Sequence, residues 1–405
     1  MSRMDSRWNA AYGIIFIMNG KIYTSMKQVL AVVSAIAAMP LLSAEPFRWR
    51  GLMLDEARHF FGKTTVMRIL DRMASEKYNV FHWHLTDHQG WRIQIRRYPE
   101  LTELASVRDV AEWRRIRTNG WDDPDQKTYG PYFYTQDDIR EVVAHAASRG
   151  ITVVPEIEIP GHCRALLKAR PSLQCDGVSA RLDEVEKGYR CAVVCAGNDE
   201  TLRFYEGVID DVCELFPSPI VHLGGDEVRK DFWRSCPKCQ ARIRREGLND
   251  ENALQGWMMR RFEKYLASKG RRLAGWDEIL EDGLTTNAVV FCWRGGDVAL
   301  RAVRKGHDVV MCPEEYCYFD FRQGLPGDTH RYHPRGDKVF SPLTVEKVRS
   351  FDPLAGIPAE CRGHVLGAQA NNWTELTLDE AALRWKLWPR ASALAEVLLT
   401  KGGVE

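Results

Sequence analysis

An excess of charge of either sign is what this sequence most plainly lacks: 56 Lys and Arg stand against 55 Asp and Glu, a formal net charge of +1 over 405 residues. That balance supplies no basic field for nucleic acid and no acidic tail for cationic partners, and it points to a neutral ligand. Internal repeats, low-complexity tracts and an interdomain linker are also missing, so one folded unit is expected after the N-terminal region. No apolar run is long enough to span a membrane, since Val29 to Leu42 is short and contains Pro40. With Lys27 before it and the small residues Ser43 and Ala44 behind it, the run reads as a signal peptide over about 26–44, within a leader of 1–44. Met26 would be its start and Ala44 its last residue, which implies a secreted or periplasmic protein. The competing reading is a buried N-terminal helix. Glu45, not cysteine, follows, so no lipid anchor is expected.

Cysteine is present 11 times, but without the dense, even spacing of a small disulfide-stapled scaffold. Cys236-Pro-Lys-Cys239 is the only close pair. Lacking a second such pair or a nearby His, it reads as a local disulfide or two ordinary thiols beside a helix start rather than as a zinc site.

With 45% hydrophobic and 27% charged residues, the chain can bury a large core. Short β-rich apolar runs alternate with longer amphipathic stretches, the pattern of βα units around a parallel sheet. Eight strands are expected: Gly51 to Leu54, Val80 to Leu85, Thr152 to Ile157, Ile220 to Leu223, Arg272 to Ala274, Val289 to Trp293, Asp308 to Met311 and Val365 to Ala368. Helices are expected over Thr64 to Lys77, Gln136 to Arg149, Thr201 to Leu215, Asn252 to Lys269, Asp297 to Lys305 and Asp379 to Leu398. Thr135 precedes an acidic first turn, and Gly150 and Gly270 follow helices. Eight units make an α/β fold of the (β/α)8 TIM-barrel type over 46–402. A doubly wound open sheet competes, but it would carry a Gly-rich phosphate turn after its first strand, and none is there. The stretches Arg97 to Tyr134 and Tyr316 to Pro353 are long enough to be functional loops.

Reactive groups of a TIM barrel gather at the C-terminal ends of its strands. In this chain those positions hold Asp55 and Arg58, His84 and Asp87, Glu156, Glu158 and His162, Asp226 and Glu227, Trp276, Trp293, Tyr318 and Asp320, and Trp373 and Glu375. Asp226 and Glu227 leave a strand through Gly224-Gly225, and adjacent carboxylates there take different roles, with environments that separate their proton affinities. Tryptophan faces suit the apolar face of a sugar ring, while Arg58, Asp55 and Glu375 suit its hydroxyls. Each Trp alone reads as core; the argument rests on their shared position. His82 and His84 with Asp87 raise a zinc reading, but no further His completes a shell, so hydrogen-bonding roles and metal-independent, cofactor-free chemistry are expected.

The runs Arg50-Gly-Leu-Met-Leu-Asp55-Glu-Ala-Arg58-His59-Phe60, Asn79-Val-Phe-His-Trp-His-Leu-Thr-Asp87-His-Gln-Gly-Trp91-Arg92 and Gly224-Gly225-Asp226-Glu227 resemble glycoside hydrolase family 20, the β-N-acetylhexosaminidases. Pro155-Glu-Ile-Glu-Ile-Pro-Gly-His162, Gly275-Trp276-Asp-Glu278, Tyr318-Phe-Asp320 and Gln369-Ala-Asn-Asn-Trp373-Thr-Glu375 extend the resemblance from Arg50 to about Leu399. It implies a retaining, exo-acting glycosidase in which the substrate's own acetamido group is the nucleophile. By that resemblance Glu227 is acid and base, Asp226 orients the acetamido group, and Tyr318 hydrogen-bonds its oxygen. Arg58 and Glu375 would hold outer hydroxyls, Trp276, Trp293 and Trp373 would wall the pocket, Asp320 belongs to the binding set, and Asp87, His162 and Glu158 would support them. The implied partner is a glycan, with neither nucleic acid nor a membrane span. Two features depart from the family pattern: many members carry a small α/β domain before the barrel, which would be missing here, and His88 stands where the family often has Asp. Two alternatives remain: a two-carboxylate glycosidase using Glu158 with Glu227, and a catalytically silent carbohydrate-binding barrel.

Overall fold

The computed structural model describes residues 16–18, 21–23, 45–110, 127–176, 192–282, 284, 287–333 and 338–402. The chain divides into Met1–Ala44 and Glu45–Glu405. In the first unit, Phe16–Met18 pairs antiparallel with Lys21–Tyr23; the expected signal peptide over about 26–44 lies outside the described residues.

The second unit is built on eight strands: β1 (Trp49–Asp55), β2 (Val80–His84), β3 (Thr152–Glu156), β4 (Ile220–His222), β5 (Arg272–Trp276), β6 (Val289–Cys292), β7 (Asp308–Met311) and β8 (Val365–Asn372). Each lies parallel to the next, and β8 pairs with β1 to close the barrel, so the closed reading stands and the open sheet falls. The principal helices are α1 (Gly62–Ser75), α2 (Gln136–Ala147), α3 (Asp199–Leu215), α4 (Pro237–Arg245), α5 (Glu251–Ser268), α6 (Gly296–Arg304), α7 (Glu380–Leu387) and α8 (Arg390–Thr400). No helix among the described residues is long and apolar enough to cross a membrane.

Local chemistry explains the helix limits. Thr135 and Asp138 cap α2 reciprocally: the Thr135 hydroxyl accepts from the Asp138 N–H at 3.1 Å, and the Asp138 carboxylate accepts from the Thr135 N–H at 3.0 Å. Asn198, Asp250 and Asp379 cap α3, α5 and α7 with side-chain oxygens. The single helix expected over Asp379 to Leu398 is two, because Pro389 has no N–H with which to continue α7.

Alternation along β2 sends Phe81 and Trp83 toward the helices, where the Trp83 ring lies 4.6 Å from that of Tyr134, and sends His82 and His84 into the barrel. There they meet Glu156 of β3, which is fully buried. Its carboxylate lies 3.1 Å from His82 Nε2 and 2.9 Å from His222 Nδ1, accepts from Trp276 Nε1 at 2.8 Å, and contacts His84 Nδ1. Glu156 was expected among the groups at the barrel mouth; it instead organises the interior. Burial pushes the His82 ring down to about 4, against the opposing pull of Glu156. An unfolded His titrates near 6.5, so the unfolded chain binds the extra proton between pH 6.5 and 4, and stability falls as pH drops through that window by up to about 3 kcal/mol. Melting temperatures across that range should fall less steeply for His82→Gln than for wild type; parallel curves would contradict this assignment.

Candidate active site

The barrel places the loops after its strands at one end, and the groups there are joined by a continuous set of hydrogen bonds. Asp55, at the end of β1, is completely buried. Its Oδ1 accepts from the backbone N–H groups of Ala57 and Arg58, and its Oδ2 accepts from the Thr374 N–H and from Arg58 Nη1. With both oxygens engaged it shapes the turn that presents Arg58, so the expectation that Asp55 binds a sugar hydroxyl does not hold. Arg58 then donates to Gln89 Oε1 at 2.9 Å, pairs with Asp87 at 2.8 Å, approaches Glu375 at 3.8 Å, and lies 5.0 Å over the Trp373 ring.

Asp87 passes this charge inward. Its Oδ2 lies 3.0 Å from His84 Nε2 and its Oδ1 3.0 Å from His162 Nδ1. Burial works to raise its proton affinity, but Arg58 and then His162 hold the carboxyl well below the usual carboxylate range. The other ring nitrogen of His162 lies 3.2 Å from Asp226 Oδ2 and 3.7 Å from Glu227 Oε2. His88 places its ring 4.7 Å from that of His162, so the position that departs from the family pattern touches the histidine that orients the paired acids.

The run between β4 and those acids explains their placement. Gly224 and Gly225 have φ of +64° and +95°, and a Cβ on Gly224 would lie 2.0 Å from Glu158 Oε2. Neighbouring strands pin the same turn, with the Trp276 N–H donating to Gly224 O at 2.9 Å and the Ile159 N–H to Leu223 O at 3.1 Å. Glu227 is itself left-handed, at φ +46°, and the two acids differ in exposure although both approach His162. The Asp226 side chain is 14% exposed and that of Glu227 is 51% exposed. Gly224→Ala should therefore cost on the order of 2–4 kcal/mol through overlap and an unsuitable φ, read as a lowered denaturation midpoint; an unchanged midpoint would show that the turn tolerates a side chain.

Glu158 lies beneath this turn, 2% exposed. Burial, then the charge of Asp226, pushes its proton affinity well above the usual range. Glu278 likewise rises to about 8, through burial, Asp226 and Asp277, and accepts from Trp293 Nε1 at 3.0 Å. In the sequence it stands only as part of the run Gly275-Trp276-Asp-Glu278, and the Trp293 partner that places it comes from a different strand end. Asp226 Oδ1 is buried with no hydrogen-bond partner among the described residues.

The aromatic residues split into two kinds. Trp293, Tyr318 and Trp373 are half-buried; the Trp293 and Tyr318 rings stack at 6.4 Å with 22° between planes, and Trp373 stands 6.2 Å from Tyr318 at 62°. Trp276 is 1% exposed and packs 5.7 Å from Trp373, so it is a floor under the walls. Asp320 is buried, raised to about 8 by burial and then by Glu375, and keeps Oδ1 unpartnered among the described residues. The arrangement thus combines an exposed acid, a recessed carboxylate with an open oxygen, half-open aromatic faces and an Arg–carboxylate cluster.

Known proteins share this framework. At 42% identity over 356 residues, a β-hexosaminidase of Porphyromonas gingivalis matches 87% of this chain and 43% of its own length; one of Vibrio furnissii is 38% identical, over 87% and 56%. The chain thus spans about half the length of these curated relatives. Among solved structures, the exo β-N-acetylglucosaminidase of Vibrio harveyi in complex with N-acetylglucosamine superimposes with a TM-score of 0.75 at 34% identity, covering 87% of this chain and 54% of that one. The β-N-acetylhexosaminidase of Bacteroides fragilis gives 0.70 at 35% identity, over 89% and 68%. Because residues 47–401, nearly the whole barrel unit, match the catalytic domain of glycosyl hydrolase family 20, the chain belongs to that family.

Proposed function

We propose that the protein is a retaining, exo-acting β-N-acetylhexosaminidase that releases terminal β-linked N-acetylglucosamine or N-acetylgalactosamine by substrate-assisted catalysis. The observation that carries this reading is the buried Oδ1 of Asp226, without a hydrogen-bond partner among the described residues, beside the half-exposed Glu227: one carboxylate can accept an acetamido N–H, and the other can reach both a leaving group and water. Glu227 gives its proton to the glycosidic oxygen as the C1–O bond breaks, and the acetamido oxygen bonds to C1 to form an oxazolinium. Asp226 accepts from the amide N–H and faces the developing positive charge, while Tyr318 donates to the acetamido oxygen and aligns it. Glu227, now ionised, takes a proton from water, whose oxygen attacks C1 and regenerates the acetamide with retained configuration. Arg58, Glu375 and Asp320 take the outer hydroxyls, and Trp293 and Trp373 lie against the ring.

The two-carboxylate alternative is disfavoured by the position of Glu158, whose carboxyl packs against Gly224 and whose proton affinity burial raises well above the usual range, against the anionic form a nucleophile needs. The leader read from the sequence makes the proposed enzyme secreted or periplasmic. Hydrolysis of 4-nitrophenyl N-acetyl-β-glucosaminide beside the plain β-glucoside tests the proposal. Turnover of the acetamido substrate alone is expected; equal turnover of both would sink it, and binding of N-acetylglucosamine without turnover of either would leave a carbohydrate-binding barrel.

A further inference from the structure

Away from the mouth of the barrel, four cysteines that are scattered in sequence converge. Cys175 follows a 3-10 turn at Pro171–Leu173, Cys195 lies in the run before α3, Cys236 is the N-cap of α4, and Cys239 is in its first turn. All four are buried, at 3% exposure or less, and their sulfurs all lie within 4.8 Å of one another. Cys236-Pro-Lys-Cys239, which alone did not suggest a metal, thus acquires the second pair it lacked.

The spacing distinguishes between the two uses of such a cluster. Cys175 and Cys239 are 3.8 Å apart, Cys195 and Cys236 3.7 Å, and Cys195 and Cys239 3.6 Å. With Zn–S bonds of about 2.3 Å, a regular tetrahedron has sulfur–sulfur edges of about 3.8 Å, whereas a disulfide needs about 2.05 Å. Cys195 is also nearly equidistant from Cys236 and Cys239, so no pairing into two disulfides is preferred. Backbone packing supports the same point: a Cβ on Gly197 would lie 2.2 Å from the Lys238 carbonyl carbon and 2.3 Å from the Cys239 nitrogen, so the segment carrying Cys195 and the start of α4 meet as closely as a shared metal requires.

We infer that Cys175, Cys195, Cys236 and Cys239 form a structural tetrathiolate site for one zinc ion. On binding, the four thiols release their protons to solvent and zinc takes the four sulfurs, a closed shell with no position left for substrate. The metal would join three segments that share little sequence proximity. One of them is already bonded to the loop carrying His162: the Cys163 N–H donates to Ala192 O at 3.1 Å and the Val194 N–H to Pro160 O at 3.0 Å. Trp233 Nε1 donates to Val194 O at 2.9 Å from the other side. Zinc would therefore brace the backbone behind His162, the residue that positions the paired acids, without offering a position to substrate.

The test is elemental analysis of the full chain purified without added metal or chelator, with intact-mass measurement of the same sample. About one zinc per chain is expected, displaced by a mercurial reagent, and cobalt taken up in its place should show the thiolate-to-metal absorption of a tetrahedral sulfur site. Cys175→Ser and Cys239→Ser should each lower zinc content roughly tenfold or more and lower the melting temperature; Cys361→Ser, at a half-buried cysteine on the turn Ala359–His364, should keep its zinc. If either variant fails to fold, the wild-type metal content and cobalt spectrum still decide. A metal-free wild-type chain would overturn the inference, whether its mass shows two disulfides or four free thiols. Full zinc retention in Cys175→Ser or Cys239→Ser would overturn it as well.

Discussion

Glu227→Gln is expected to lower kcat/KM by about 10²- to 10⁴-fold, the range that a positioned general acid supplies, with the fold left intact. The side chain is half exposed and carries no part of the core, so its loss should not move the melting temperature. The size of the effect should depend on the leaving group. A 4-nitrophenolate departs with little help, whereas the alkoxide of a sugar needs its proton, so the variant should lose more on a disaccharide than on the aryl glycoside. Steady-state kinetics on both substrates checks this. An equal loss on both would mean that Glu227 acts elsewhere than on the leaving oxygen, and no loss on either would remove it from the mechanism.

The second large effect is expected for Asp226→Asn, about 10²- to 10³-fold in kcat, with KM changed far less. The substitution keeps the shape that His162 Nε2 holds at 3.2 Å but takes away the charge that, in the proposed mechanism, faces the oxazolinium and matters more in the transition state than in the bound substrate. Around it, burial and then the Asp226 charge push the proton affinity of Glu158 well above the usual carboxylate range and that of Glu278 up to about 8. A series of substrates with one, two and three fluorines on the acetamido methyl group gives an independent reading. If the acetamido oxygen is the nucleophile, wild-type rates fall steeply as fluorine withdraws electrons from it. A flat series would return the attack to an enzyme carboxylate.

Much of this protein is legible before any coordinates. All eight barrel strands fall where β-rich runs were read, because a strand buried on both faces has to be a short apolar run bounded by turn chemistry. Helix starts follow from caps such as Thr135, and Asp226 and Glu227 stand out because paired glycines precede them. Side-chain partners were harder to read. Asp55 looked like a sugar ligand and is a turn-former; Glu156 looked like a mouth residue and is the centre of the interior; Trp276 looked like an open wall and is a floor. In each case the residue type and its strand position were plain in the sequence, but which oxygen or face was already occupied depended on groups such as Thr374, His222 and Trp373, more than 60 positions away.

The sequence by itself determined the element order, the parallel barrel and the strand ends at which chemistry collects, since these depend on local periodicity and turn residues. Only the tertiary structure decided which carboxylates burial and neighbouring charge push up or down in proton affinity, which oxygen of Asp226 lacks a partner among the described residues, and that Cys175 and Cys195 meet Cys236 and Cys239. Burial and through-space charge act over a few ångströms, and the closing of the barrel, rather than distance along the chain, sets which groups come that close.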